Sequence, residues 1–111
     1  MDLKVSPQGE VVVVTAVGDI NAASCSQLEE ALTGLIDHGH SRMVLDLAEV
    51  RYVSSAGLRV LLIAAKRLSG KGAFALSRAS EPVRQVLDMT GFSNIIKVKP
   101  TLEEAVAQVS A

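Results

Sequence analysis

Tyr52-Val53-Ser54-Ser55-Ala56-Gly57-Leu58-Arg59-Val60-Leu61-Leu62 is the stretch around which the rest of the chain is organised. An apolar run, Met43-Val44-Leu45-Asp46-Leu47, leads into it and reads as a buried strand. Apolar residues at helical spacing lead away from it and predict an amphipathic helix over 55–69. Two adjacent serines therefore stand at the mouth of a helix, where the first backbone N–H groups have no intrahelical partner. Ser54 suits the capping position, because its hydroxyl can accept from an N–H two or three residues further on. Ser55, one step in, would present its hydroxyl outward near the positive end of the helix dipole, where a phosphate meets N–H donors and a favourable field. The plainer alternative is that both serines only cap the helix.

On that helix Leu58, Leu61, Leu62, Ala65 and Leu68 share one face, which predicts a core stripe. Ala56, Val60 and Ile63 fall on the opposite side, between Arg59 and Arg67. That second apolar stripe is either covered by another element or exposed as a docking surface.

Upstream, Leu3-Lys4-Val5 meets a turn signal at Pro7-Gln8-Gly9, and the β-branched run 11–17 follows, predicting a hairpin with a buried second strand. Gly18-Asp19-Ile20-Asn21 breaks that strand. A first helix should begin near Ser24 or Ser26, since Ser24 with Gln27 and Ser26 with Glu29 have capping-box spacing. Cys25, Leu28, Leu32, Leu35 and Ile36 form its apolar stripe, and Gly39 supplies its left-handed stop. The third strand is expected over 42–48, with Asp46 read as a polar residue near its end that makes local hydrogen bonds.

Downstream, Gly70-Lys71-Gly72 closes the central helix and 73–77 is a fourth strand. Ser80-Glu81-Pro82 opens a third helix, whose apolar face is Val83, Val86, Leu87 and Met89 and whose end is Gly91. A short fifth strand is expected over 95–98. Thr101 with Glu104 forms a capping box for a last helix packed through Leu102, Ala105, Val106 and Val109. The order β-β-α-β-α-β-α-β-α makes the chain, residues 1–111, a single α/β domain. Its central sheet should be parallel, or mixed with the first strand at an edge, and covered by helices on one or both faces.

Composition narrows the function. Eleven Lys and Arg against twelve Asp and Glu leave a net charge of −1, and one Tyr, two Phe and no Trp offer no stacking platform, so nucleic acid is not an expected partner. Lys66, Arg67 and Lys71 read as a solvated helix end. The single cysteine, Cys25, rules out an internal disulfide and reads as a small buried hydrophobe. Neither a signal-peptide pattern nor an apolar run long enough to cross a membrane is present, so the expected place is the cytoplasm. The apolar stripes of one small domain are compatible with a monomer.

Enzyme chemistry finds no footing. Ser55 lacks the glycine before it that a nucleophile elbow needs, and the histidines, His38 and His40, lie in a loop that the topology should leave at the far end of the sheet. His38-Gly39-His40 has no Cys or carboxylate motif beside it to complete a metal site, and Gly70-Lys71-Gly72-Ala73 ends a helix where a phosphate loop would open one. No catalytic residue, cofactor or metal is therefore expected. The feature left is an exposed hydroxyl at a helix start, with Arg51 and Arg59 close in sequence. Phosphorylation there would add roughly −1.5 to −2 charges, enough to abolish docking through local electrostatics while the fold stays still.

Together these segments resemble a known family. Met43-Val44-Leu45-Asp46-Leu47 followed by Tyr52-Val53-Ser54-Ser55-Ala56-Gly57-Leu58 is similar to the STAS domain, and more narrowly to the bacterial anti-sigma factor antagonists. Gly18-Asp19-Ile20-Asn21, Thr90-Gly91-Phe92 and Thr101-Leu102-Glu103-Glu104-Ala105 fit the same pattern, so the likeness covers nearly the whole chain. It implies partner switching. The unmodified antagonist binds an anti-sigma factor that is also a serine kinase of the histidine-kinase-like ATPase type, the kinase phosphorylates and so releases it, and a metal-dependent serine phosphatase resets it. The family's acceptor, the first serine of Asp-Ser-Ser/Thr-Gly, falls on Ser55, with Gly57 matching the glycine. Two positions depart from the pattern: Ser54 stands for the Asp, and Ala56 for the second hydroxyl residue.

By the same resemblance, the partner surface comprises the loop bearing Asp19 and Asn21 and the start of the second helix, with Ser54, Ala56, Gly57 and Arg59. Val60 and Ile63 extend it along that helix. The competing readings are an unphosphorylated STAS scaffold or subunit of a transport or signalling complex, and a nucleotide-binding domain, for which no Gly-rich cradle is present.

Overall fold

β1 (Asp2–Gln8) and β2 (Val11–Val17) form the antiparallel hairpin that the β-branched run predicts, in a computed structural model that describes residues 1–111. Pro7 and Gln8 remain in β1, and the turn falls later, at Gly9, whose φ of 64° is open to glycine without steric cost. The chain continues through α1 (Cys25–Asp37), β3 (Arg42–Glu49), α2 (Ser55–Leu68), β4 (Ala73–Ser77) and α3 (Glu81–Met89). A 3₁₀ turn (Phe92–Asn94), β5 (Lys97–Lys99) and α4 (Leu102–Ser110) complete it. The five strands lie in the order β1-β2-β3-β4-β5, and every pair beyond the hairpin is parallel. Each crossover is a helix, as parallel neighbours require.

Strand alternation sorts the core into two layers. Val12, Val14, Met43, Leu45 and Leu76 face α1, α2 and α3, where they pack with Leu28, Leu32, Leu61, Val83 and Leu87. Val11, Val13, Val44 and Ala75 face the other way and are covered by Ala105 and Val109 of α4. Both faces are thus shielded, which is why β2 and β3 are mostly apolar on both sides, with Thr15 and Asp46 as the interior exceptions. Each fully buried Leu or Val contributes about 1.5–3 kcal/mol relative to exposure. No helix is long and apolar enough to cross a membrane.

Caps set the helix starts, though not all as the spacing predicts. Ser54 is extended and its Oγ accepts from the Gly57 N–H at 3.1 Å, and Thr101 does the same for Glu104 at 3.1 Å. Neither expected box forms on α1: the Ser24 hydroxyl donates to the Asp19 carbonyl (2.7 Å) and accepts from the Asn21 N–H (3.0 Å), tying down the preceding loop. Cys25 is half-buried at the core margin.

Three apolar expectations fail. Met89 is 86% exposed, because α3 ends there and only Val83 and Leu87 point fully inward. Ile95 lies outside β5 and is 61% exposed. Gly91, at φ 78°, starts the 3₁₀ turn, in which the N–H groups of Ile95 (2.9 Å) and Ile96 (2.8 Å) both donate to the Phe92 carbonyl, so they cannot join the sheet. On α2, Leu62 and Ala65 are only half-buried, while Val60 and Ala64 are in the core. α2 packs on both β4 and α1, which widens its buried arc and turns it toward Val60.

Candidate functional site

The carboxyl edge of the parallel sheet gathers three loops, following β2, β3 and β4, and backbone hydrogen bonds stitch them together. The Gly18 N–H donates to the Glu49 carbonyl (3.1 Å), the Ile20 N–H to Tyr52 (2.9 Å), and the Ser54 N–H back to Ile20 (2.8 Å). Ile20 and Val53 form an isolated parallel bridge, and the Ser80 hydroxyl donates to the Val50 carbonyl at 3.1 Å. The Asp19–Asn21 segment therefore lies directly beside the start of α2.

Within it the residues do different jobs. Asp19 is exposed. Asn21 holds its own turn, its Oδ1 accepting from the N–H groups of Ala23 (2.9 Å) and Ser24 (3.1 Å). Ser55, the first residue of α2, is exposed, and because Ser54 makes the cap, the Ser55 hydroxyl is not committed to it. Arg59 is exposed one turn further along, while Ala56 and Ile63 are half-buried.

Two expected contact residues are internal. Val60 is 2% exposed and packs in the core, so it offers no side chain to a partner. Gly57 is buried too, and a Cβ there would lie 2.6 Å from the Ile20 Cγ2 and 3.2 Å from the Ile20 carbonyl oxygen. Its lack of a side chain is what lets α2 approach the β2 loop.

A further group at this edge escaped the spacing arguments. Asp46 is almost completely buried, and its bonds reach well beyond the local ones expected. Besides the Ala48 N–H (3.3 Å), its carboxylate accepts from the Ser77 hydroxyl (3.2 Å) and from Arg78 through both Nε (3.1 Å) and Nη2. The hydrogen bond and charge of Asp46 push the Arg78 guanidinium above its ordinary pKa, with Glu103 and Glu49 adding to the effect. Arg78 has a left-handed φ of 54°. The available signal was Asp46 itself, since a carboxylate inside an apolar strand needs a cation or several donors. Register extends the group into a polar row across all five strands, Lys4, Thr15, Asp46, Ser77 and Lys99.

Two shallow depressions flank the Gly18–Asp19 turn. One, of about 420 Å³, includes Met1, Asn21 and Gln27; the other, of about 470 Å³, includes Glu49, Arg51 and Ser80. His38 and His40 precede β3 and the serines follow it, so the histidines lie at the opposite end of the sheet from Ser55. This edge presents the exposed Ser55 beside the exposed Asp19 loop.

The STAS domain family model matches residues 2–105. BtrV of Bordetella bronchiseptica, named as a candidate anti-sigma factor antagonist, is 39% identical over 98 residues, which cover 87% of this chain and 84% of BtrV. The crystal structure of an anti-sigma factor antagonist from Mycobacterium paratuberculosis superposes with a TM-score of 0.92 at 26% identity, covering 99% of this chain and 94% of that one. The fold is shared by the anti-sigma factor antagonist SpoIIAA of Bacillus. Its unphosphorylated form gives a TM-score of 0.82 at 20% identity, over 98% of this chain and 96% of that one. Its phosphorylated form gives 0.74 at 20% identity, over 97% and 99%.

Proposed function

The chain belongs to the STAS domain family and, within it, to the anti-sigma factor antagonists, and from that membership we propose that it works by partner switching with Ser55 as the switch. In its unmodified form it binds an anti-sigma factor that is also a serine kinase of the histidine-kinase-like ATPase type, and so frees the sigma factor. The kinase transfers the γ-phosphoryl group of ATP to the Ser55 oxygen, which loses its proton, and ADP leaves. A metal-dependent phosphatase returns the hydroxyl by hydrolysis to inorganic phosphate. The chain itself is a binding protein rather than an enzyme, and it acts in the cytoplasm, where kinase and ATP are found.

The observation that carries this reading is the exposed Ser55 hydroxyl at the first residue of α2, uncommitted to the cap and beside the Asp19 loop. Phosphorylation puts roughly −1.5 to −2 charges in the middle of that surface, and docking must then desolvate or pair them. Because Ser55 is exposed, the fold has no reason to rearrange.

The test compares Ser55→Ala and Ser55→Glu chains as baits in lysate from the native host, read by mass spectrometry. The Ala bait should retain a small ATPase-type kinase, and the Glu bait should lose it. Retention of the same proteins by both baits would leave Ser55 as a helix residue only and make the chain a STAS scaffold.

A further inference from the structure

The outward ridge of α2 combines cations with apolar surface. Ser55, Arg59, Leu62 and Lys66 follow at steps of four, three and four residues and so lie in one line along the helix. α2 contains Arg59, Lys66 and Arg67 and no carboxylate, in a chain whose overall charge is −1. Arg67 is neutralised by Asp37 of α1. The remaining ion pairs are Arg78–Asp46 and Arg84–Asp88, which leaves Arg59 and Lys66 exposed and unpaired on the ridge. Between and beside them is a notch of about 260 Å³, lined by Leu62, Ala65, Lys66, Ser69 and Ile95. Ile95 is the large apolar side chain that the 3₁₀ turn holds out of the sheet, 61% exposed.

Two unpaired cations with an apolar notch alongside define an occupant by complementarity. We propose that this ridge docks an acidic amphipathic segment of the partner. Its carboxylates meet Arg59 and Lys66, about 10 Å apart along the helix axis, and one apolar side chain enters the Leu62–Ala65–Ile95 notch. The inference rests on the partner-switching reading and adds the partner's chemistry to it: the interface runs past Ser55 along the helix, and attraction along it is electrostatic. It also deepens the action of the switch. A phosphate on Ser55 stands one turn from Arg59, where opposite charges four residues apart pair, so the modification removes the ridge's first cation as it adds repulsion.

The experiment uses the full chain and the ATPase-type kinase retained by the Ser55→Ala bait, purified, with affinity measured by calorimetry at low and high salt. Arg59→Gln and Lys66→Gln should each weaken binding about two- to fivefold at low salt, with the difference shrinking at high salt. Ile95→Ser should weaken it at both salt levels, and Arg84→Gln, on α3, should leave it unchanged. All four positions are exposed, and thermal unfolding checks that the variants stay folded. A retained partner indifferent to all three ridge substitutions would overturn this inference and spare the functional reading, whereas a failure to retain any kinase would remove both. A chain dimer that dissociates on Arg59→Gln would assign the ridge to self-association and also overturn it.

Discussion

Gly57→Ala probes the seam that brings the β2 loop to α2. A Cβ at this position would sit 2.6 Å from the Ile20 Cγ2, 3.1 Å from the Val53 Cγ1 and 3.2 Å from the Ile20 carbonyl oxygen. Carbon pairs prefer about 3.5–4.0 Å, so the closest contact must open by roughly 1 Å. Ile20 is fully buried and cannot swing into solvent, and its carbonyl is held by the Ser54 N–H. Helix propensity alone favours Ala over Gly by about 0.8–1.0 kcal/mol. Overpacking of a well-filled site costs about 1–3 kcal/mol, so the net result should be a loss of up to about 2 kcal/mol. Gly34 of α1 is the control, because a Cβ there meets nothing within 4 Å. Gly34→Ala should therefore stabilise the chain by close to the propensity difference. Urea titration of both variants gives the comparison, and calorimetry with the partner asks whether the displaced Asp19 loop also weakens docking. Equal stabilisation by the two substitutions, with docking unchanged, would refute the view that Gly57 exists for close approach.

Substitutions at two further positions test what holds the same edge together. Arg78→Ala should destabilise the fold by about 1–3 kcal/mol in urea, since Asp46 would keep its burial and lose two donors; the half-exposure of Arg78 holds the cost below that of a fully buried pair. Because the pair raises the Arg78 pKa, its contribution is fully present below the ordinary arginine range and is lost only as pH rises through it, so the difference from the unmodified chain should stay constant from neutral to mildly alkaline pH. Ser54→Ala should cost about 1 kcal/mol by removing the acceptor for the Gly57 N–H, whereas Ser54→Asp should preserve stability. Thermal melts distinguish them, and an Ala variant as stable as the parent would show that the cap contributes nothing.

Much of the fold was legible because its strands are buried on both faces and its helices are punctuated. β2 and β3 are dominated by apolar residues, and Ser54, Gly39 and Thr101 mark helix ends by local chemistry. What was not legible depended on which neighbours an element acquires. The face of α2 was misjudged at Val60 because a helix packed on two sides buries an arc wider than its most apolar stripe. The fifth strand shifted because a glycine-initiated 3₁₀ turn took the N–H groups of Ile95 and Ile96. Arg78 was invisible because its importance lies in a partner 32 residues away. At the site, the exposure of Ser55 followed from its place after a capping serine, and the Asp19 loop was pointed to by the family resemblance alone, whereas the internal role of Gly57 depends on the position of Ile20.

These differences bear on how a switch at Ser55 can act. A modification shifts a conformational equilibrium only where it has differential free energy for two states. Here the loops around Ser55 are joined by backbone hydrogen bonds and anchored by Ile20 and Val53, at 0% and 3% exposure. Gly57 is packed against both. Ser54 supplies a neutral acceptor where the family pattern has a carboxylate, so no negative charge stands immediately before Ser55 to oppose a phosphate or to be displaced by one. These bonds and contacts hold the edge in one closely packed arrangement that leaves the Ser55 side free. On the proposed switch, the free-energy change falls on the docked complex, through the charge presented to the partner and the cation withdrawn from it, and an exposed hydroxyl at the start of α2 is sufficient to carry it.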